Sequence, residues 1–351
     1  MNRKVILGVV AVVVMLGAII LLSLTFVKKQ LNLTQANTVS SKLTTAAAYT
    51  SDSFVYINGK EIVQYNYLTG ESTNLSKSES VSGLSTSDSL SVSTDNQYIL
   101  FHNEYAPSGG ILDTILKQNN LNDTLDYWWI FNVQTQSFRL LPQGVLVAKF
   151  VGDTVYTLSP SDSISETITA YNASNLQKTG SINVPSSSNF FVANGGYILE
   201  TANNNVLFTK DGVVSTRLFT ATNIIGVTPN QQWAIATTGE ATVHALVAIN
   251  LLNDSSKTIS IGVTGQTAWL NSGSVLYTTG NPTVDANTAE FYDYNVNTDK
   301  NTAWNLPQSL SSPSNPPLNS VLLLGETTAL ISDSASNHYL LSTSTIPTNN
   351  L

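Results

Sequence analysis

The sequence contains no cysteine. That single absence excludes disulfide scaffolds, thiolate metal sites, iron–sulfur clusters and cysteine nucleophiles. Histidine is nearly missing as well: the three copies, His102, His244 and His338, leave little imidazole for acid–base or metal chemistry. Charge is scarce. Asp, Glu, Lys and Arg make up 11% of the 351 residues, against about 25% in an average soluble protein. With 15 basic and 23 acidic residues the formal net charge is −8, and no basic face is available to hold a nucleic acid. There is no Gly-x-Ser-x-Gly elbow, His-Glu-x-x-His pair or Walker loop, and no cofactor is expected.

What replaces charge is hydroxyl and amide. Ser and Thr fill 83 positions and Asn another 36. An apolar content of 42% nevertheless argues against wholesale disorder. Residues 5–27 form a run of 23 without a charge, flanked by Arg3 and Lys4 on one side and Lys28 and Lys29 on the other. A helix of that length, at about 1.5 Å per residue, crosses a hydrocarbon core of roughly 30 Å with some tilt. The run is longer than the apolar part of a usual signal peptide, and no small-x-small cleavage site follows it. It therefore reads as an uncleaved signal anchor: a cytoplasmic tail over 1–4, a transmembrane helix over 5–27 and a polar stalk over 28–50. Within that stalk, residues 43–50 could also pair as a strand. Beyond residue 30 the chain carries 11 basic and 23 acidic residues, a net −12 that suits the outside of a cell. The expectation is a single-pass membrane protein, N-terminus in, with its bulk extracytoplasmic.

From residue 52 onward the dominant feature is repetition. A strand-like stretch ends in an aromatic or aliphatic residue followed by Asn at Tyr65-Asn66, Phe131-Asn132, Tyr171-Asn172, Ile249-Asn250 and Tyr294-Asn295. A turn-like segment and a short second strand follow each. Asn132 to Asn172 is 40 residues, Asn172 to Asn250 is 78 and Asn250 to Asn295 is 45. Ahead of these hairpins lies another turn and strand, as in Thr94-Asp95-Asn96-Gln97-Tyr98-Ile99-Leu100-Phe101 and Thr228-Pro229-Asn230-Gln231-Gln232-Trp233-Ala234-Ile235. Four short strands at a period of about 40–45 residues predict an all-β fold, a β-propeller over 51–348 with seven four-stranded blades. The units fall near residues 50–76, 88–141, 145–183, 188–218, 222–261, 266–305 and 319–348. The first lacks an opening strand and the last a clear fourth one. Residues 43–50 could supply either, since an open sheet edge invites aggregation.

The stretch at 228–235, followed by Ala248-Ile249-Asn250-Leu251, resembles the repeat of TolB-like propellers, part of the wider WD-repeat-like class. It is also similar to the N-terminal propellers of dipeptidyl-peptidase-type enzymes. Their pattern is Ser-Pro-Asp-Gly, then an apolar strand, then a Thr-Gly turn, which Tyr67-Leu68-Thr69-Gly70 matches. The family Asp-Gly is read here as Asn-Gln at 230–231 and at 96–97. Propellers of this kind mostly serve as scaffolds, so the resemblance implies binding more than catalysis.

In a four-stranded blade, the loop between strands two and three shares a face with the connection to the next blade. The long segments 104–126, 159–165, 280–288 and 306–318 all fall on that face, which becomes the candidate surface for a protein or glycan partner. In 104–126, Ile111, Leu112, Ile115 and Leu116 predict a short amphipathic helix. The binding candidates there are Tyr105, Asp113, Asp126, Tyr127 and Trp128. The competing reading places the aromatics of Tyr127-Trp128-Trp129-Ile130-Phe131 in the blade core, because successive strand residues point to opposite faces. His102-Asn103-Glu104 could pair a base with a carboxylate but suits a strand end equally. Asp293, Asn295, Asn297 and Asp299 place oxygens at alternate positions, as calcium loops do, yet Thr298 stands where such a loop wants glycine and Trp304 where it wants glutamate. The leading expectation is a membrane-anchored propeller that binds without catalysis. The alternatives are a carboxylate-based enzyme acting on glycans and an accessory subunit of a cell-envelope complex.

Overall fold

The structure is a computed structural model. It describes residues 34–35, 46–50, 52–58, 61–66, 69–76, 89–103, 110–121, 127–162, 164–201, 206–210, 213–217, 221–228, 230–240, 243–253, 255–263, 268–270, 274–278, 291–304, 318–325, 328–333 and 338–342. The apolar run at 5–27, and the membrane helix expected there, lies outside these residues. Among the described residues no helix is long and apolar enough to cross a membrane.

The strands group into four-stranded antiparallel sheets arranged as a β-propeller. β1 is Thr34–Gln35. Blade one holds β2 to β5: Ala46–Thr50, Ser53–Ile57, Ile62–Asn66 and Ser72–Asn74. Blade two holds β6 and β7 (Leu90–Val92, Tyr98–Asn103), the helix α1 (Gly110–Gln118), then β8 and β9 (Tyr127–Asn132, Ser137–Leu140). Blade three is β10 to β13: Val147–Val151, Thr154–Pro160, Ser165–Asn172 and Lys178–Pro185. Blade four is β14 to β17: Asn189–Ala193, Gly196–Glu200, Val206–Lys210 and Val213–Arg217. Blade five is β18 to β21: Ala221–Val227, Trp233–Glu240, Val243–Asn250 and Ser256–Val263. Blade six is β22 to β25: Ala268–Leu270, Ser274–Thr278, Phe291–Asn295 and Lys300–Trp304.

These six blades each use four consecutive strands. The expectation was seven four-stranded blades; six are built from four consecutive strands, and the remaining four-stranded sheet is not. β26 to β28 (Leu318–Gly325, Thr328–Asp333, His338–Ser342) are joined by β1, through Thr34 opposite Leu340 and Gln35 opposite Tyr339. Residues 34–35, placed in the stalk by sequence, complete the last sheet, and residues 46–50, within the segment 43–50 that could open the first unit or close the last, open blade one. The physical reason is that pairing the N-terminal strand with the C-terminal ones covers the edge of β28 and ties the two ends of the ring together. The first strands then neighbour one another around the ring. β2 lies against β6 and β26, β6 against β10, β14 against β18, and β22 against β18 and β26. Lys149 of β10 bonds to Asn189 of β14.

The core sits between blades rather than within one. In β8, Tyr127, Trp129 and Phe131 pack with Val55, Ile57 and Ile62 of blade one. The intervening Trp128 and Ile130 pack with Ala148 and Val155 of blade three. Blade five repeats the device, with Ala234, Ala236, Val247 and Ile249 facing blade four and Ile235, Leu246 and Ala248 facing blade six. A sheet buried on both faces needs apolar residues at consecutive positions, which is why these strands read as continuous runs.

The repeated Asn is a turn device. Its Oδ1 accepts a backbone N–H of the following turn in all five cases: Thr69 for Asn66, Thr135 for Asn132, Ser174 for Asn172, Leu252 for Asn250, and both Asn297 and Thr298 for Asn295. Four residues later the chain enters the left-handed region at Gly70, Gln136, Leu176 and Asp299. Asn is favoured at such a start because its short side chain mimics one more backbone carbonyl. The other turn is built alike: Asp95 and Asn230 accept from Gln97 and Gln232, and Asn96 and Gln231 hold φ of 59° and 57°. The position that resembles the family Asp-Gly in blade two is therefore Asp95-Asn96, one residue before the 96–97 read from sequence. Asn enters the left-handed region more readily than other non-glycine residues.

Candidate functional site

Helix α1 anchors the insertion in blade two. Leu112 and Leu116 are buried against the cluster that holds Tyr127 and Trp129, so the apolar stripe read from the sequence is spent on the blade. Asp113 and Lys117 close an i,i+4 ion pair at 2.7 Å on the solvent side. Tyr127 and Trp128 are 2% and 6% exposed, and His102 stacks on Trp128 with ring centroids 4.8 Å apart. The core alternative thus describes where those two aromatics lie. Tyr105 and Asp126 fall outside the described residues, as do loops 280–288 and 306–317.

What the face does present is aliphatic. Four large apolar side chains are exposed among the described residues: Ile111 at 42%, Leu146 at 51%, Ile164 at 78% and Leu252 at 61%. The first three share the insertion face, on adjacent blades. Ile111 rides on α1, Leu146 lies in the connection from blade two to blade three, and Ile164 tips the β11–β12 loop. Leu252 belongs to a hairpin turn on the opposite face. The display is held firmly. Leu146 N–H donates to the Leu158 carbonyl at 2.8 Å. Asp162 Oδ1 accepts from the N–H groups of Ile164 and Ser165 at 2.9 and 2.7 Å; a bond from the Ser165 hydroxyl, and next that from the Ile164 N–H, hold its carboxyl below the usual range. Behind them the buried Glu166 accepts from Ser187 N–H at 2.8 Å and Ser186 Oγ at 3.3 Å, fixing the blade three to blade four connection on this face. Sequence reading missed Leu146 and Ile164. The available signal was an aliphatic residue standing alone in a polar loop, Ser-Asp-Ser-Ile-Ser at 161–165.

The weak calcium pattern in blade six resolves into turn chemistry. Asn295 Oδ1 is occupied by two backbone N–H groups. Asp299 is the left-handed residue of the turn; its Oδ1 accepts from the Tyr294 hydroxyl at 2.6 Å, and Lys257 stands 3.6 Å from Oδ2. The Tyr294 bond, and next the Lys257 charge, hold the Asp299 carboxyl below its usual range. Among the described residues no group of three His, Cys, Asp or Glu side chains is placed to hold a metal.

Carboxylates elsewhere join blades. Lys149 Nζ, half-buried on β10, donates to Asn189 Oδ1 at 2.7 Å and to the Phe190 carbonyl at 2.8 Å, and sits 4.0 Å over the Phe191 ring. Asn189 Nδ2 donates to Glu200 Oε2 at 2.9 Å, and Glu200 Oε1 accepts from Ile224 N–H at 2.8 Å. One polar chain thus links blades three, four and five. Burial pushes the Lys149 ammonium down to about 8, with Glu200 opposing that shift. Because the folded value lies below the unfolded 10.5, the unfolded chain holds a proton that the folded one has lost between those limits, and stability rises with pH there. Tyrosines whose phenols burial pushes up, such as Tyr197 and Tyr277, reverse the trend above pH 10. The unfolding free energy from urea titration should therefore climb between pH 8 and 10, by on the order of 2 kcal/mol at about 1.4 kcal/mol per pH unit, then fall. Lys149→Met should abolish the climb, and a flat wild-type profile would contradict this assignment.

Neither a protein-family model nor a curated protein sequence matches the chain. Solved structures do match in fold. A chain of the mitotic checkpoint complex superposes at TM-score 0.55 and 11% identity, over 90% of this chain and 91% of that one. The WD40 β-propeller domain of Doa1 does so at 0.53 and 10%, over 90% and 98%. An oligogalacturonate lyase from Vibrio parahaemolyticus gives 0.53 and 9%, again over 90% and 98%. At such identities the likeness shows the β-propeller fold alone, one that scaffolds and enzymes share.

Proposed function

We propose that this protein is a membrane-tethered, extracytoplasmic β-propeller that binds a protein partner through its insertion face, without catalysis. The observation that carries the reading is the trio Ile111, Leu146 and Ile164, exposed together on two adjacent blades. Apolar anchors with a polar and charged rim, here Asp113, Lys117 and Asp162, are the anatomy of a protein interface. Residues 5–27 supply the tether, with Arg3 and Lys4 on the cytoplasmic side. A WD40 propeller domain and a chain of the mitotic checkpoint complex among the structural neighbours are consistent with a scaffold role. The carboxylates Glu166 and Glu200, which an enzyme of the glycan-cleaving kind would recruit, are engaged by backbone N–H groups at loop and blade junctions.

Ile111→Glu, Leu146→Glu and Ile164→Glu combined should leave the melting temperature nearly unchanged, because surface changes shift stability by only about 0.5 kcal/mol each. They should cost roughly 1 kcal/mol or more of association energy apiece, seen as loss of a higher-mass complex when the full chain is extracted and run on a native gel. An unchanged complex would reject the face. Protease added to intact cells should digest the propeller; protection would reject the extracytoplasmic placement.

A further inference from the structure

A second feature lies on the opposite face and is independent of the first. Between blades three and four, at the end carrying the hairpin turns, is a cleft of about 570 Å³. That is within the range of small-ligand sites, roughly 300–1,000 Å³. Tyr156 of β11 and Tyr197 of β15 stand in it edge to face, with ring centroids 6.2 Å apart. Thr179, Ser181 and Gln231 add hydroxyl and amide groups, and Gly195 and Gly196 bring bare backbone. None of the residues lining the cleft is charged. Gln231 is brought in from blade five by its left-handed φ and by the bond its carbonyl accepts from Asn194 N–H at 3.2 Å.

The outer wall contains Gly180, in the middle of β13 and opposite Ala170. A glycine inside a strand weakens it and needs a reason. The register of β12 and β13 shifts beside it, between Ala170 and Tyr171, but Gly180 lies outside the left-handed region and a Cβ built on it meets nothing within 4 Å, so the shift does not demand glycine. Gly196, across the cleft, is the contrast, since its Cβ would strike the Thr209 carbonyl. Gly196 is required by the fold, whereas Gly180 only keeps the cleft open. Thr179 Oγ donates to the Ala170 carbonyl at 3.2 Å, which leaves the acceptor side of that hydroxyl for a ligand. Burial, and next the Tyr156 phenol, push the Tyr197 phenol up, so it stays a neutral hydrogen-bond donor through the physiological range.

We propose that this cleft binds an uncharged oligosaccharide, with a sugar ring against the tyrosine pair and its hydroxyls on Thr179, Ser181 and Gln231. A sugar ring offers an apolar C–H face to an aromatic ring and hydroxyls to hydroxyl and amide partners. An acidic sugar or a phosphate would meet no lining cation, and an apolar peptide side chain would meet no deep aliphatic pocket.

The test uses the full chain in phospholipid nanodiscs, free of sugar-headed detergent, titrated calorimetrically with maltotetraose, cellotetraose, chitotetraose, tetragalacturonate and a Thr-Val repeat decapeptide. At least one neutral tetrasaccharide should bind saturably, in the millimolar range or tighter. Gly180→Leu should weaken it by about tenfold or more, near 1.4 kcal/mol, with an unchanged melt. If Gly180→Leu shifts the melt, Gly180→Ala and Ser181→Ala decide instead, and one of them must weaken binding by about threefold. No neutral binding, binding by tetragalacturonate or the peptide alone, or affinity untouched by the variants that decide would overturn the proposal.

Discussion

Gly196→Ala is expected to destabilise the propeller by at least about 3 kcal/mol, a severe result for the addition of one methyl group. The new Cβ would sit 2.2 Å from the Thr209 carbonyl oxygen, 3.0 Å from Phe208 Cζ and 3.2 Å from Cε2. The phenyl ring can swing aside. The carbonyl cannot, because Thr209 lies on β16 in register with Tyr197 of β15 and is fully buried. Relief requires β15 and β16 to part where blade four packs against blade five through Ile198 and Val206. At about 2.1 cal/mol/K per residue, about 3 kcal/mol lowers the melting temperature of a propeller of roughly 300 residues by about 5 °C. Gly180→Ala is the matched control: its Cβ meets open space, and the loss of unfolded-state freedom should stabilise by about 0.4–1 kcal/mol. Equal melts for the two variants would contradict the geometry.

Trp129→Ala should cost about 3–5 kcal/mol, the usual range for deleting a buried Trp or Phe. The side chain is 0% exposed and belongs to the cluster that joins Val55, Ile57 and Ile62 of blade one, Phe101 and Phe131 of blade two, and Leu112 and Leu116 of α1. Its removal opens a cavity beneath the helix, so hydrogen exchange in α1 should accelerate along with the fall in melting temperature. Trp129→Phe separates packing from polarity. The indole Nε1 has no partner among the protein's own described atoms, so replacing it with an apolar ring forfeits no bond, and the cost should stay below about 1.5 kcal/mol. A Phe variant as damaged as the Ala variant would show that the N–H, not the ring, matters at this position.

The architecture was legible because it is written locally and repeatedly. Asn66, Asn132, Asn172, Asn250 and Asn295 mark the same hairpin in five blades, and each satisfies the same kind of turn N–H. Consecutive apolar residues in 127–131 and 233–236 announced strands covered on both faces. The seam was not legible, since the partner of β28 lies some 300 residues away in sequence at Thr34–Gln35 and only ring closure brings the two together. The site was read less well, and for a physical reason. Aromatics such as Tyr127 and Trp128 attract notice as ligand contacts, yet in a propeller they are the material of the blade interfaces. The exposed aliphatics Leu146 and Ile164 carry no motif, and their exposure is fixed by backbone bonds to Leu158 and Asp162 that periodicity does not encode. The Tyr156–Tyr197 cleft joins two blades and has no one-dimensional trace except the unexplained Gly180.

The insertion face is the centre of this account, and site-specific photocrosslinking in intact cells tests it most directly. A benzophenone side chain at Leu146 or at Ile164 should give one and the same discrete protein adduct, while the same group at Leu252, equally apolar and exposed but on the opposite face, should give none. An adduct at Leu252 alone, or no adduct at either insertion-face position, would contradict the account.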